Sequence, residues 1–93
     1  MDNCSIMERV AYVVCSEFNI TINEIRSSYR GRNVAEARQI IAYVCVSFYK
    51  IRLREVGKFI NRDHSSVIHS CKQAVLPHMI NHVTRIKRLL NIV

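Results

Sequence analysis

The sequence predicts an all-α fold of about six helices in a single small domain, residues 1–93, and three observations support this prediction. Residues that favour turns are scarce, because the 93 residues include two glycines and one proline. Hydrophobic residues make up 49% of the chain, which is enough for a compact core without disulfides or metal. Apolar residues also recur at the three- and four-residue spacing of amphipathic helices, as they do on one face of the first helix.

The first two helices are predicted from their capping residues. Ser5-Ile-Met-Glu8 has the pattern of a capping box and predicts a helix from about Ile6 to Phe18. Asn19 suits the left-handed conformation in which helices often end. Thr21-Ile-Asn-Glu24 repeats the capping box and predicts a short second helix that ends at about Ser28.

The third helix is expected to be central and buried. Gly31 gives the backbone freedom between two arginines, and Asn33 is a candidate N-cap for a helix from about Val34 to Lys50. Between Ile40 and Val46 this helix is apolar almost all round, a pattern that indicates burial on every side. The same run is too short to span a bilayer.

Three further helices complete the prediction. A short helix over Leu53 to Ile60 contains Gly57, which costs about 1 kcal/mol against alanine in a helix and therefore suggests close packing. After the turn Asn61-Arg62, Asp63 is the candidate N-cap of a helix to about Leu76. Beyond Pro77, a last helix over about His78 to Asn91 carries one apolar stripe, formed by Met79, Val83, Ile86 and Leu90.

The helix after Asp63 has a predicted core face and a polar face. The core face consists of Val67, Ile68, Cys71, Ala74 and Val75, and the polar face of Ser65, Ser66, His69, Lys72 and Gln73. Two short helices joined by a tight turn, the second beginning with small polar side chains, are typical of a helix-turn-helix. In that motif the first turn of the second helix enters the major groove of DNA, where short side chains allow a close approach.

Charge is unevenly distributed along the chain. Residues 1–25 carry a net charge of −3 and residues 26–93 a net charge of +10, within a total of +7. This asymmetry favours an anionic partner, nucleic acid before membrane, although a merely soluble basic protein stays an alternative. The four cysteines form no CxxC pair and no signal peptide is visible, so we expect a reducing cytoplasm and buried thiols at Cys45 and Cys71.

Catalysis is a weaker interpretation of the same residues. Asp63, His64 and Ser65 are residue types of a catalytic triad, but neighbours at a helix start point in diverging directions and cannot form a relay. The two glycines, Gly31 and Gly57, are too far apart for a phosphate-binding P-loop. We therefore expect no catalytic residue and no cofactor.

Metal binding and membrane binding are weaker interpretations too. His78-x-x-x-His82 could present two imidazoles on one helix face, but no thiol or acidic ligand lies nearby in the sequence, so we expect no metal site. The basic tail residues Arg85, Lys87 and Arg88 could contact a membrane or a partner. They could equally form the solvated outer face of a helix whose other side is in the core.

The segment EARQIIAYVCVSFYKIRLREVGKFINRDHSSVIHSCKQ, residues 36–73, resembles the C-terminal DNA-binding domain (domain IV) of the bacterial replication initiator DnaA. The hallmark of that family is the run Arg-Asp-His-Thr-Thr-Val-x-His, which here is RDHSSVIH at residues 62–69. The triplets ARQ at residues 37–39 and EVG at residues 55–57 match as well, and the resemblance covers about residues 5–92.

The resemblance implies an all-helical fold that binds duplex DNA, at a DnaA box, through a helix-turn-helix. The positions expected to read bases are Arg30, in a basic loop that enters the minor groove, and Asp63, His64 and Ser65, in the major groove. The positions expected at the DNA backbone or groove edge are Arg32, Arg38, Gln39, Arg62, Ser66, His69 and Lys72. Base contacts specify the site, and contacts to phosphates position the protein.

The chain departs from the family pattern at several places. Ser65 and Ser66 replace threonines, so a methyl group that could pack on thymine is lost. The turn before Arg62 is one residue shorter, which affects the tilt of the recognition helix, and Glu36 places an acid near a helix start that is expected to face phosphate.

The family's ATPase module has no counterpart in these 93 residues. We therefore expect a monomeric, cytoplasmic and nucleoid-associated DNA reader, either a stand-alone protein or an excised domain, that cannot itself fire an origin. Competition for boxes, promoter regulation and recruitment of a partner are open roles. The alternative from another class is a protein-interaction module that keeps the fold and binds a protein partner through its basic face.

Overall fold

The six predicted helices are all present in the structure, a computed structural model that describes residues 2–92, and no strand occurs among those residues. Their bounds are α1 Asn3–Phe18, α2 Ile22–Arg26, α3 Arg32–Ser47, α4 Leu53–Ile60, α5 His64–Ala74 and α6 Ile80–Leu89. A 3-10 turn, Pro77–Met79, connects α5 to α6. The all-α prediction is confirmed. None of the helices described is long and apolar enough to cross a membrane.

Helix α3 is the centre of the core, as its apolar run predicts. It packs against α1, α2, α4 and α5, and Ile40, Ile41 and Val44 are completely buried. Burial of a side chain of this size contributes about 1.5–3 kcal/mol, so α3 supplies a large share of the stabilising free energy. Helix α6 packs on α1, and three residues of its predicted stripe are buried, namely Met79, Ile86 and Leu90.

Of the two predicted capping boxes, the one at the start of α2 is confirmed and the one at the start of α1 is wrong. The predicted box at Ser5 is wrong, because α1 begins at Asn3 and Asp2 is its N-cap, with the Asp2 carboxylate accepting from the Ser5 N–H at 2.8 Å. The box at Thr21 is confirmed in both directions, since Glu24 N–H donates to the Thr21 hydroxyl and Thr21 N–H donates to the Glu24 carboxylate. Asn19 ends α1 in the left-handed conformation, with φ of 55°.

Several predicted bounds of the later helices are wrong, among them both ends of α3 and the end of α5. Helix α3 begins at Arg32, so its N-cap is Gly31, without a side-chain hydrogen bond, and Asn33 lies inside the first turn. It ends at Ser47, three residues before the predicted end at Lys50. Helix α5 ends at Ala74, where the chain turns towards Pro77 and the 3-10 turn. Because proline disfavours helical backbone in the residue before it, α5 stops earlier than its apolar pattern predicts.

The core face of α5 is narrower than predicted. Val67 and Ala74 are buried, but the side chains of Ile68 and Val75 are 38% and 57% exposed. Helix α5 packs against α3 and α4, which cover only part of the predicted arc, and Val75 lies past the end of the helix. Of the two cysteines expected to be buried, Cys45 is completely buried, which raises the pKa of its thiol to about 12, whereas Cys71 is half-buried.

Gly57 is the point at which the helix-turn-helix closes. A Cβ atom at this position would lie 2.4 Å from the carbonyl oxygen of Arg62, which is much closer than a non-bonded contact allows. The Arg62 N–H donates to the Gly57 carbonyl oxygen at 2.8 Å, and Asn61 between them has φ of 60°. The close packing that the sequence suggests for Gly57 is therefore confirmed, and its partner is the backbone of the turn.

Candidate nucleic-acid interface

The first turn of α5 is fixed by its N-cap. Asp63 has extended backbone, and its Oδ1 accepts a hydrogen bond from the Ser66 N–H at 2.8 Å, as the sequence predicts. Hydrogen bonds from Ser66, and to a smaller extent the nearby His64, hold the pKa of the Asp63 carboxyl below its usual range. The residue is exposed, so a charged carboxylate stands at the surface where α5 begins.

The polar side chains of α5 are accessible at the start of the helix and on the face opposite Val67. His64, Ser65, His69 and Lys72 are exposed, and Ser66 is half-buried. The fold therefore leaves free the small polar side chains that the sequence assigns to base and backbone contacts. The contacts of these side chains with bases and phosphates are predictions.

Two open grooves run along either side of the α5 start. The α3-side groove is bounded by Ala35, Arg38 and Gln39 of α3 and by Ser65, Ser66, His69 and Ser70 of α5. The α4-side groove is bounded by Arg54, Gly57 and Lys58 of α4, by Asn61 of the turn, and by His64. Arg62 and Asp63 line both grooves. The amino end of α5 thus lies between the two grooves. The α4-side groove contains two basic side chains, Arg54 and Lys58, that were not among the predicted DNA contacts.

The basic loop between α2 and α3 is held in place by Arg38. The Arg38 Nη2 donates to the carbonyl oxygens of Ser27 and Tyr29 at 2.9 and 2.7 Å, and its Nε donates to that of Ile25 at 2.7 Å. The side chain of Arg38 is only 7% exposed. Burial, followed by repulsion from Arg62 and Arg30, lowers the pKa of its guanidinium.

These contacts give Arg38 a structural role that the sequence did not indicate. Two of the three guanidinium nitrogens, Nε and Nη2, donate hydrogen bonds to carbonyl oxygens inside the protein. One of the acceptors of Nη2 is the carbonyl oxygen of Glu24, at 3.1 Å. Its contact with phosphate stays a prediction, and at most part of the guanidinium is left for it.

The loop is also tied to the turn of the helix-turn-helix. The Arg62 Nη2 donates to the Ser27 carbonyl oxygen at 2.7 Å, and the Asn61 Nδ2 donates to the carbonyl oxygen of Arg26 at 3.1 Å. In return the Arg26 Nε donates to the carbonyl oxygen of Phe59 at 2.7 Å, and its guanidinium lies 4.7 Å from the centre of the Phe59 ring. We call this set of contacts the loop–turn junction. It fixes the basic loop relative to α5.

The other predicted residues of the loop and of α3 lie around this junction. Arg30 is exposed and lines a small cleft together with Arg38 and Arg62. Arg32 is exposed and forms an ion pair with Glu36 at 3.5 Å, one helical turn further on. The acid near the start of α3 is therefore partly neutralised within the helix. The structure thus brings Arg30, Arg38 and Arg62 together in one cleft, with Arg32 at the adjoining helix start.

Sequence reasoning missed several residues of this surface. The side chains of Arg26 and Asn61 donate hydrogen bonds to carbonyl oxygens that are more than 30 residues away in the sequence. No local sequence pattern reveals such partners. Arg54 and Lys58 had a usable signal, since two cations four residues apart on a helix that is amphipathic share its exposed face.

The two histidines considered as metal ligands have different neighbours. The His78 Nε2 lies 3.9 Å from the Glu36 carboxylate, and the His82 ring lies against Phe18, with 5.1 Å between the ring centres. Across residues 2–92, no group of three or more His, Cys, Asp or Glu side chains is arranged to hold a metal ion. Of the basic tail, Arg85 forms an ion pair with Glu17, and the Lys87 Nζ lies 4.5 Å from the centre of the Phe48 ring.

The fold and this surface define a class of protein. Two short helices meet at a tight turn, the second presents an exposed polar first turn, and a basic loop is fixed beside it. This is the architecture of a helix-turn-helix nucleic-acid-binding domain. Residues 7–74 match the family model described as the bacterial dnaA protein helix-turn-helix. The chain belongs to this family, the DNA-binding helix-turn-helix domain of DnaA, and the resemblance found in the sequence is confirmed.

The chain is also similar to full-length proteins named DnaA. The chain is 38% identical over 68 residues to the chromosomal replication initiator protein DnaA of Lachnoclostridium phytofermentans, a match that covers 72% of this chain and 15% of that protein. It is 36% identical over 67 residues to the DnaA protein of Bacteroides thetaiotaomicron, covering 71% of this chain and 14% of that protein. The chain thus spans about 15% of the length of the curated relatives it matches.

Proposed function

We propose that this domain binds double-stranded DNA at a specific site of the DnaA-box type, with α5 in the major groove and the basic loop in the adjacent minor groove. The loop–turn junction carries this proposal. Because Arg62 and Arg38 both bind the Ser27 carbonyl oxygen, the loop and α5 are held as one rigid reading surface. A surface with fixed spacing between two reading elements suits two neighbouring grooves of one duplex.

The major-groove part of the proposal rests on the first turn of α5. His64 and Ser65 are exposed there, and short side chains let the helix approach the base edges. The Oδ1 of Asp63 accepts from Ser66, which leaves its second oxygen able to accept a hydrogen bond from a base amino group. The amino end of α5 carries partial positive charge, which favours proximity to the DNA backbone.

The minor-groove part of the proposal rests on Arg30. Its side chain is exposed in the basic loop, and the minor groove is a region of enhanced negative potential that attracts arginine. Arg32 lies two residues further on and is also exposed. We assign base reading to Arg30 and backbone contact to Arg32.

The backbone contacts on the α3 side complete the proposed site. Gln39, Ser66 and His69 line the α3-side groove, and Lys72 is exposed one turn beyond His69. Arg62 lines the same groove and has part of its guanidinium committed to the junction. Binding of this kind positions the domain on DNA and needs no cofactor, metal or catalytic residue.

The experiment is selection of a preferred site from random duplexes, followed by titration of that site and a scrambled duplex over a range of salt. If about four to six phosphates are engaged, log K should fall against log salt with a slope of about −4 to −5. Equal affinity for both duplexes would leave only a basic surface. A slope near zero would exclude a backbone-dependent mode and favour the protein-interaction alternative.

A further inference from the structure

A helix that lies in the major groove has a DNA backbone on each side of it. The groove is about 12 Å wide, so a recognition helix is flanked by the phosphates of both strands. Among the predicted backbone contacts, Gln39, Ser66 and His69 line the α3-side groove. If one strand lies along that groove, the second strand lies along the α4-side groove.

The α4-side groove has the chemistry for a phosphate backbone. Arg54 and Lys58 are exposed on α4 and line this groove opposite His64. They are four residues apart, about 6 Å along the helix axis, and therefore project from the same face. Neighbouring phosphates of one DNA strand rise by about 3.4 Å along the duplex axis, so two long cationic side chains at this spacing can each reach a phosphate.

The fold itself gives no reason for these two cations. Like charges one turn apart on a helix repel each other, and Arg54 lies in the first turn of α4, where the helix dipole disfavours a cation. Among the described residues, neither side chain forms a hydrogen bond or an ion pair. The neighbouring acid, Glu55, accepts a hydrogen bond from the Asn3 side chain instead. An external anion would relieve the repulsion between Arg54 and Lys58.

We infer that Arg54 and Lys58 of α4 bind consecutive phosphates of the second DNA strand, so that the two strands are held on opposite sides of α5. This inference rests on the proposed function and adds a contact to it. Phosphates carry no sequence information, so the pair strengthens binding to every duplex and fixes how far α5 can rotate in the groove.

The test compares a double variant, Arg54→Gln with Lys58→Gln, to the parent and to a charge-matched control, Arg9→Gln with Arg88→Gln. The two control residues are exposed on α1 and α6 and line neither groove. Affinity is measured by fluorescence anisotropy on the selected and the scrambled duplex at several salt concentrations. Loss of two phosphate contacts should make the salt slope shallower by about 1.8, to the same extent on both duplexes, relative to the control.

Strand assignment comes from duplexes in which single phosphates are replaced by neutral methylphosphonates. The parent should lose affinity when either flanking strand is neutralised, and the Arg54/Lys58 variant should become insensitive on one strand only. A variant with Lys72→Gln should keep its sensitivity on that same strand. Thermal unfolding followed by circular dichroism checks that each variant is folded, and the charge-conserving variant Arg54→Lys with Lys58→Arg should retain the parent slope.

The outcomes separate this inference from the proposed function. If the parent binds DNA with a steep salt slope and the Arg54/Lys58 variant behaves like the control, the second-strand contact is wrong and the proposed function stands. If the parent itself shows no affinity for duplex DNA at any salt concentration, both proposals are wrong. A shallower slope without strand dependence would show a diffuse charge effect and would also overturn the assignment of a bound strand.

Discussion

Arg38 and Arg62 donate hydrogen bonds to the same atom, the carbonyl oxygen of Ser27, at 2.9 and 2.7 Å. Arg38 comes from the central helix and Arg62 from the turn of the helix-turn-helix, so this one oxygen connects the core, the basic loop and the start of α5. Hydrogen bonds from charged donors are stronger than those between neutral groups, which suits them to holding a loop in place. The position of Arg30 relative to His64 is therefore set by the body of the protein.

Replacement of Arg38 by methionine tests this structural role. Methionine keeps the bulk of the side chain but removes every donor to the carbonyl oxygens of Ile25, Ser27 and Tyr29. Because each buried group left unsatisfied costs about 1–3 kcal/mol and the loop can partly rehydrate, we expect Arg38→Met to lower the free energy of unfolding by about 2–4 kcal/mol. Urea denaturation measures this change, and Arg9→Met on the exposed face of α1 is the control. Unchanged stability would mean that the arginine serves phosphate binding alone.

Replacement of Gly57 by alanine sets two effects against each other. Alanine favours the helix by about 1 kcal/mol over glycine. The added Cβ would lie 2.4 Å from the Arg62 carbonyl oxygen, and this oxygen belongs to the backbone of a tight turn that cannot move cheaply. Overpacking of this kind costs about 1–3 kcal/mol, so we expect a net loss of stability in thermal unfolding and a weaker affinity for DNA. A gain in stability would show that the turn can yield.

The sequence predicted the elements that depend on local chemistry and missed those that depend on distant partners. The capping box at Thr21 and the N-cap at Asp63 were predictable because cap and recipient lie three residues apart. The N-cap of α1 was not predictable in this way, because Asp2 and Ser5 both have side chains that can cap a helix and only Asp2 does so.

In the candidate site, too, the features set by local sequence were predicted and those set by distant partners were not. The exposure of His69 follows from the helical pattern of α5, but the burial of Arg38 does not follow from anything near it in the sequence. Its acceptors are backbone oxygens in α2 and the following loop, and backbone oxygens have no sequence signature. Ile68 was assigned to the core because periodicity shows which residues share a face but cannot show how much of that face a neighbouring helix covers.

Acid should weaken the caps of α1 and α5. Hydrogen bonds from Ser5 and Ser66 hold the pKa values of Asp2 and Asp63 below the usual range for aspartate. The folded-state pKa values are lowered, so the stability that these carboxylates contribute is present above the unfolded aspartate pKa and is lost as the pH falls through the lowered values. In Asp63→Asn the cap acceptor is kept without a titrating group, and stability measured by urea denaturation should depend less on pH in the acidic range than in the parent. The same acid dependence in both proteins would contradict a contribution from Asp63.

Loss of Arg30 should affect binding and leave the fold intact. Its side chain is exposed, so Arg30→Ala should unfold at the temperature of the parent. If the arginine occupies a narrow minor groove, its removal should cost about 1–3 kcal/mol in binding to the selected site. Anisotropy titration measures this, with Arg9→Ala as the charge-matched control. Equal affinity of the two variants would remove the basic loop from the reading surface.

Substitutions in α5 test most directly whether this surface recognises a base sequence or only binds DNA through its positive charge. His64 and Lys72 are both exposed on α5, His64 at its amino end and Lys72 two turns later. If His64 contacts a base, His64→Ala should weaken binding to the selected site by about 1–3 kcal/mol and leave binding to a scrambled duplex almost unchanged, because no phosphate partner is removed. Lys72→Ala should weaken binding to both duplexes alike and make the salt slope shallower by about 0.9. Both variants are measured on both duplexes at one salt concentration, with the slope taken from a separate series. Equal losses on the two duplexes for His64→Ala would leave α5 as a basic surface without a reading residue at that position.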